Sequence, residues 1–184
     1  IFDGKYDIGH PRKNIDVFYH ANRWRLEPKD EEAYRRGELV EPVKPIVFYV
    51  DDAFPASWLP YIRQGVLTWN EAFERIGFKN VMQVRDFPSD DPDFDPENLK
   101  YSPSVVANAM GPSWTDPRTG EIINASVYVY HNLVAMVQDW RFLHTAPADP
   151  SVRKVKLDEE TFGDCMRYVI AHEVGHCLGL MHNM

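Results

Sequence analysis

The sequence predicts a mixed α/β (α+β) fold, and three features predict it. Ile46–Val50 is a continuous apolar run between Pro45 and Asp51-Asp52, the pattern of a strand buried on both faces. Residues 57–76 carry Leu59, Ile62, Val66, Trp69, Phe73 and Ile76 at three- and four-residue spacing, which gives a helix one apolar stripe. Ile122–Tyr130 is rich in the β-branched and aromatic residues that favour strands. A further strand is expected at 81–87. Strand, long helix and strand make a crossover unit, so the strands at 46–50 and 81–87 should run parallel.

The remaining elements follow in chain order. Residues 1–44 read as an N-terminal extension, with strand pieces at Ile15-Asp16-Val17-Phe18-Tyr19 and Trp24-Arg25-Leu26. Residues 27–44 are charged, hold Pro28, Gly37 and Pro42, and read as a solvated loop with room for one helical turn. Ser57 is the candidate N-cap of the long helix and Gly77 its stop. In the polar loop 89–98, Asp91, Asp93 and Asp95 alternate as in a calcium loop. Pro96 stands where an EF-hand needs glycine, so a solvated acidic loop is the expectation. Residues 105–110 read as a short strand ended by Gly111-Pro112. Asp116-Pro117-Arg118-Thr119-Gly120 is a turn. The strands at 105–110 and 122–130 are expected to pair antiparallel. Asn132 can cap a helix carrying Leu133, Met136, Val137, Trp140 and Leu143. Asp158 can cap the last helix, whose Glu159-Glu160 suit the positive end of the dipole and which runs to about Leu178. Trp58, Trp69 and Trp140 are expected in the core.

Composition excludes several functions. The 184 residues carry a formal charge of −8, with 44% hydrophobic and 26% charged residues, ordinary for a globular chain. Nucleic-acid binding and docking on anionic membranes both need basic surface. No apolar run approaches the roughly 20 residues of a membrane span. The chain opens with Ile1 and shows no basic-then-apolar leader, so it reads as a fragment or processed product. Cys165 and Cys177 lie twelve residues apart in one helix, too far for a disulfide, and read as buried thiols.

The chemistry lies in the last helix. His172-Glu173-Val174-Gly175-His176 puts two imidazoles on one helix face, one turn apart, where they can grip a single metal ion. Glu173 sits beside them, able to reach a bound water without ligating. Gly179 lets the chain leave the helix and bring His182 round as a third ligand. Three neutral nitrogens leave a fourth position open, the mark of a catalytic zinc site. His10, His20, His131 and His144 lack ligand spacing and read as surface or hydrogen-bonded residues. Cys165 is too far along the helix to join the cluster.

The run His172-Glu173-Val174-Gly175-His176-Cys177-Leu178-Gly179-Leu180-Met181-His182 resembles the metzincin motif of matrixins, astacins and reprolysins. Asn22-Arg23-Trp24-Arg25-Leu26-Glu27, Pro45-Ile46-Val47-Phe48-Tyr49, Trp69-Asn70-Glu71-Ala72-Phe73-Glu74, Ala107-Asn108-Ala109-Met110-Gly111-Pro112 and Asp116-Pro117-Arg118-Thr119-Gly120-Glu121-Ile122 are similar to a family of large, mostly uncharacterised bacterial zinc metalloproteases. The resemblance runs from about residue 20 to the end. It implies a zincin-type fold: a twisted mixed sheet with an antiparallel edge strand, a backing helix and an active-site helix. It implies that 45–184 is the upper subdomain of a catalytic domain, stopping before the Met-turn, and that the protein is secreted, periplasmic or cell-surface. Asn183 departs from the residue that follows the third ligand in the better-known families. In the bacterial family a strand with an Arg-Trp pair follows the Tyr-Ser of Tyr101-Ser102. Here Pro103-Ser104 come at once, so that strand is absent or its residues are missing.

The activity so implied is endopeptidase cleavage: zinc at His172, His176 and His182, Glu173 as general base, and a peptide or protein substrate laid along the edge strand at Val106, Ala107, Asn108, Ala109 and Met110. A zinc-retaining peptide-binding module without turnover and an inactive truncated scaffold are the alternatives.

Overall fold

The computed structural model describes residues 21–88 and 98–182. The strand piece at 15–19 and most of the acidic loop at 89–98 lie outside the described residues. Strand β1 (Ile46–Val50) pairs in parallel with β2 (Met82–Asp86) on one side and β3 (Asn98–Ser102) on the other. Strand β3 pairs in parallel with β6 (Ile122–Tyr130), and β4 (Ala109–Met110) closes the sheet antiparallel to β6. A further short strand, β5 (Ser113–Thr115), also pairs antiparallel with β6. The result is a six-stranded mixed sheet in the order β2-β1-β3-β6-β4, with an antiparallel edge strand and helices packed on it.

In β1, Ile46, Phe48 and Val50 are buried while Val47 and Tyr49 are only half-covered, so one face is sealed and the other partly open. The crossover from β1 to β2 is not one helix. It breaks into α2 (Leu59–Leu67) and α3 (Asn70–Glu74). Tertiary bonds at the break explain it. The Trp69 indole donates to the Ala171 carbonyl at 2.8 Å, and Asn70 clamps both backbone groups of Met82 through its side chain. Beyond the break the apolar stripe drifts off the core, leaving Ile76 56% exposed. The helix starts at Leu59 with no side-chain cap, so Ser57 does not serve as one.

Three other expectations need correction. The strand expected at 105–110 is ordered as strand only at β4. Residues 105–108 run as irregular chain, their backbone partly used by side chains, as where Asn132 Nδ2 donates to the Val105 carbonyl. Trp24–Leu26 is not a strand; the preceding residue, Arg23, makes an isolated parallel bridge to Glu121. Trp140, on α4 (Leu133–Thr145), is half-exposed rather than core, because only Leu133 and Val137 of that helix are buried. Residues 27–44 hold a five-residue helix, α1 (Glu31–Arg35), N-capped by Asp30, and bury Ala33 and Val40.

The sheet's covered face packs on α2 and on α5 (Glu159–Cys177). Phe48, Ile62, Val66, Leu99, Val127, Val129, Met166, Ile170 and Val174 form the centre of this core. Helix α5 is therefore fixed from below by the sheet and alongside by α2. Among the described residues no helix is long and apolar enough to cross a membrane.

Candidate metal centre

Helix α5 begins where the sequence says it should. The Asp158 carboxylate accepts from the Thr161 amide, a standard N-cap, and that hydrogen bond lowers its pKa to about 2. Met166, Val169, Ile170, Glu173, Val174 and Cys177 recur at helical spacing and are buried. That leaves His172 exposed and His176 half-exposed on the flank. Behind them the Cys177 thiol donates to the Ser126 carbonyl at 3.6 Å, and burial, with the nearby Glu173 charge, pushes it up to about 12.

The helix ends in a Schellman turn. The Gly179 amide bonds to the His176 carbonyl at 2.9 Å and the Leu180 amide to the Gly175 carbonyl at 3.1 Å. Gly179 sits at φ +95°, a left-handed conformation that strains any other residue. The reversal carries His182 back over the helix. The His176 Nδ1–H donates to the Leu180 carbonyl at 2.9 Å, because a carbonyl can only accept. A neutral His176 therefore presents a bare lone pair on Nε2.

That lone pair meets two others. The Nε2 atoms of His172, His176 and His182 form a triangle with edges of 3.0, 3.2 and 3.2 Å. No set of neutral tautomers satisfies it. If one of the other rings donates to His176, the third edge sets lone pair against lone pair; if both donate, their protons face each other. One cation shared by three lone pairs removes the conflict. Three nitrogens bound to zinc at about 2.05 Å in a tetrahedron lie about 3.3 Å apart, so the triangle fits such an ion closely. These three histidines are the metal-capable cluster among the described residues.

The cluster opens on a cleft of about 650 Å³. It is lined by Asn108, Ala109, Met110, Gly111 and Pro112, by Leu133, Met136 and Trp140 of α4, and by Tyr168, Val169 and Glu173 of α5. Glu173 is 8% exposed. Of the residues expected along the substrate, Asn108, Ala109 and Met110 line the cleft, while Val106 and Ala107 are exposed outside it. The α4 wall carries no signal in the sequence, since its apolar residues read equally well as core. Tyr168 had one: it lies four residues before His172, on the same helix face, and its ring stands 6.4 Å from the His172 ring.

Comparison with known families falls on the same place. Residues 154–184 match a family model described as Met-zincin. The matched stretch takes in α5, the Gly179 turn and His182; it is metzincin-like, and that likeness implies zinc for the three histidines, which are placed to hold a metal. No curated protein and no solved structure gives a significant match.

Proposed function

We propose that the chain carries the zinc centre of an endopeptidase active site. The observation that carries this reading is the Nε2 triangle, assembled by a helix and a glycine turn, opening on a cleft with a buried carboxylate at its side. His172, His176 and His182 would hold the ion. Bound there, zinc supplies the Lewis acidity that polarises a carbonyl and makes water acidic enough to attack near neutral pH.

Glu173 does the proton work. It follows His172 directly in α5 and lines the cleft without joining the triangle. As a carboxylate it takes a proton from the attacking water and hands it to the leaving amine nitrogen, so one group serves as base and then acid. The outer edge of β4 supports an extended peptide as the substrate, because β4 ends the sheet order and an edge strand can pair with one more chain. Met110, Met136, Trp140, Tyr168 and Val169 favour an apolar side chain next to the cleaved bond.

Metal analysis and a casein assay on the intact protein test this. Wild type should carry about one zinc per chain, and His176→Ala should lose it. Glu173→Gln should keep zinc and lose hydrolysis by about 10²- to 10⁴-fold. A chain free of zinc sinks the site. Zinc with equal hydrolysis by wild type and Glu173→Gln sinks the mechanism, and zinc with no hydrolysis by either leaves a binding module.

A further inference from the structure

Resting on the metal site above, we propose that the segment Asn22–Trp24 is a strap that holds the third histidine in place, with Trp24 as its positioning residue. A helix leaves its last carbonyls without partners. In α5 the Schellman turn satisfies those of Gly175 and His176, as its two amide bonds require. The carbonyl of Cys177 gets its partner from elsewhere: the Trp24 indole Nε1–H donates to it at 2.9 Å, across 153 residues of sequence. The bond lands between the second ligand, His176, and the glycine turn that delivers the third.

The same segment touches the turn a second time. A Cβ on Gly179 would lie 2.3 Å from the backbone oxygen of Asn22, so the strap's main chain fills the space a side chain would need. The strap is itself anchored on the sheet. The Arg23 amide donates to the Gly120 carbonyl at 3.0 Å, and the Ile122 amide donates to the Arg23 carbonyl at 2.8 Å. The start of β6, the strap and the Gly179 turn are thus one hydrogen-bonded chain. His182 follows that turn. Within the turn, the bond from the His176 Nδ1–H to the Leu180 carbonyl ties the second ligand to the path of the third. A second indole bonds the same helix beside the first histidine, from Trp69 to the Ala171 carbonyl, and packs on Gly175, so it is no neutral comparison. The Asp158 cap, at the opposite end of α5, is the natural control.

Groups that orient the ligands of a metal typically matter about 10- to 100-fold in metal affinity. Trp24→Phe keeps the ring and removes the donor. It should weaken zinc about 10- to 100-fold in chelator competition and change the visible spectrum of the cobalt-substituted protein, which reports the ligand set. Asp158→Ala removes the cap at the far end of the same helix and should leave affinity within about twofold and the cobalt spectrum unchanged. If Trp24→Phe fails to fold, benzothienylalanine at position 24 deletes the N–H alone and is held to the same outcome. Trp24→Phe with wild-type affinity and spectrum overturns the strap and spares the metal site. Equal weakening by both variants also overturns it, since the loss would then be one of general stability. A wild-type chain that binds no zinc or cobalt overturns the metal site itself, and the strap's role with it.

Discussion

Replacing Gly111 by alanine should open the cleft without touching a ligand. Gly111 follows β4 and runs against the C-terminal part of α5. A Cβ there would stand 2.1 Å from the Glu173 carbonyl oxygen and 3.2 Å from the Cys177 sulfur. Real Cβ atoms essentially never come within 3.0 Å of such a neighbour, so the contact must lengthen from 2.1 to at least 3.0 Å, that is by 0.9 Å. Neither side can yield by turning a side chain. The oxygen belongs to helix backbone, and the strand is pinned by the Ala109–Val129 pairing and by the Ser126 amide on the Pro112 carbonyl at 3.0 Å. Overpacking of this kind costs about 1–3 kcal/mol. For a domain this size that lowers Tm by roughly 2–12 °C. If β4 holds the substrate as proposed, a displacement near 1 Å between it and the histidines should cost about 10²-fold in kcat/KM. Zinc affinity should hold, because all three ligands belong to α5 and the turn that follows it. Thermal unfolding, chelator competition and peptidase kinetics on Gly111→Ala read the three quantities separately. A Tm within 1 °C of wild type, with kcat/KM within twofold, would refute the close contact. A fall in zinc affinity matching the fall in rate would mean that the helix moves rather than the strand.

Zinc should bind the folded chain alone, so saturation at about 100 times Kd should add roughly 2.7 kcal/mol of stability, seen as a rise in Tm that EDTA reverses and His176→Ala lacks. The Asp158 pKa, lowered to about 2 by its bond from the Thr161 amide, makes this cap a source of stability present above the unfolded carboxylate's pKa of about 4 and lost as pH falls through about 2. Asp158→Ala should therefore lower Tm at pH 7, with the gap to wild type shrinking as pH drops from about 4 to about 2; a gap independent of pH would contradict the capping bond. Cys177 is fully buried and Cys165 half-exposed, so iodoacetamide should label Cys165 in the native protein and Cys177 only after unfolding, as peptide mass mapping would reveal.

Much of this fold was legible in the sequence because it rests on local patterns. Ile46–Val50 announces a strand by its unbroken apolar run, and the crossover that follows forces its parallel partner. Asp158 announces the start of α5 by its side chain, and Gly179 its end by its freedom from a Cβ. What the sequence hid depends on distant contacts. Strand β3, with the sequence Asn98-Leu99-Lys100-Tyr101-Ser102, has no long apolar run. It forms because β1 and β6 offer it two parallel neighbours, which bury Leu99 completely. The break between α2 and α3 is invisible in the apolar stripe, since its causes are bonds to Ala171 and Met82, far along the chain.

The site divides in the same way, for a geometric reason. The convergence of three histidines was legible from spacing because a helix fixes the direction of His176 relative to His172, and a left-handed glycine fixes where the chain goes next. Both are determined within eleven residues. The cleft walls are set by how elements cross. Met136 and Trp140 face the histidines only because α4 lies beside α5, and the same residues on a helix shifted by one turn would read as ordinary core. The Trp24 bond is further still from any local rule, joining two residues 153 positions apart. Spacing within the motif can therefore bring a candidate metal centre into view. What fits the cleft beside it, and how firmly the third histidine is held, depend on residues whose roles exist only after the chain has folded.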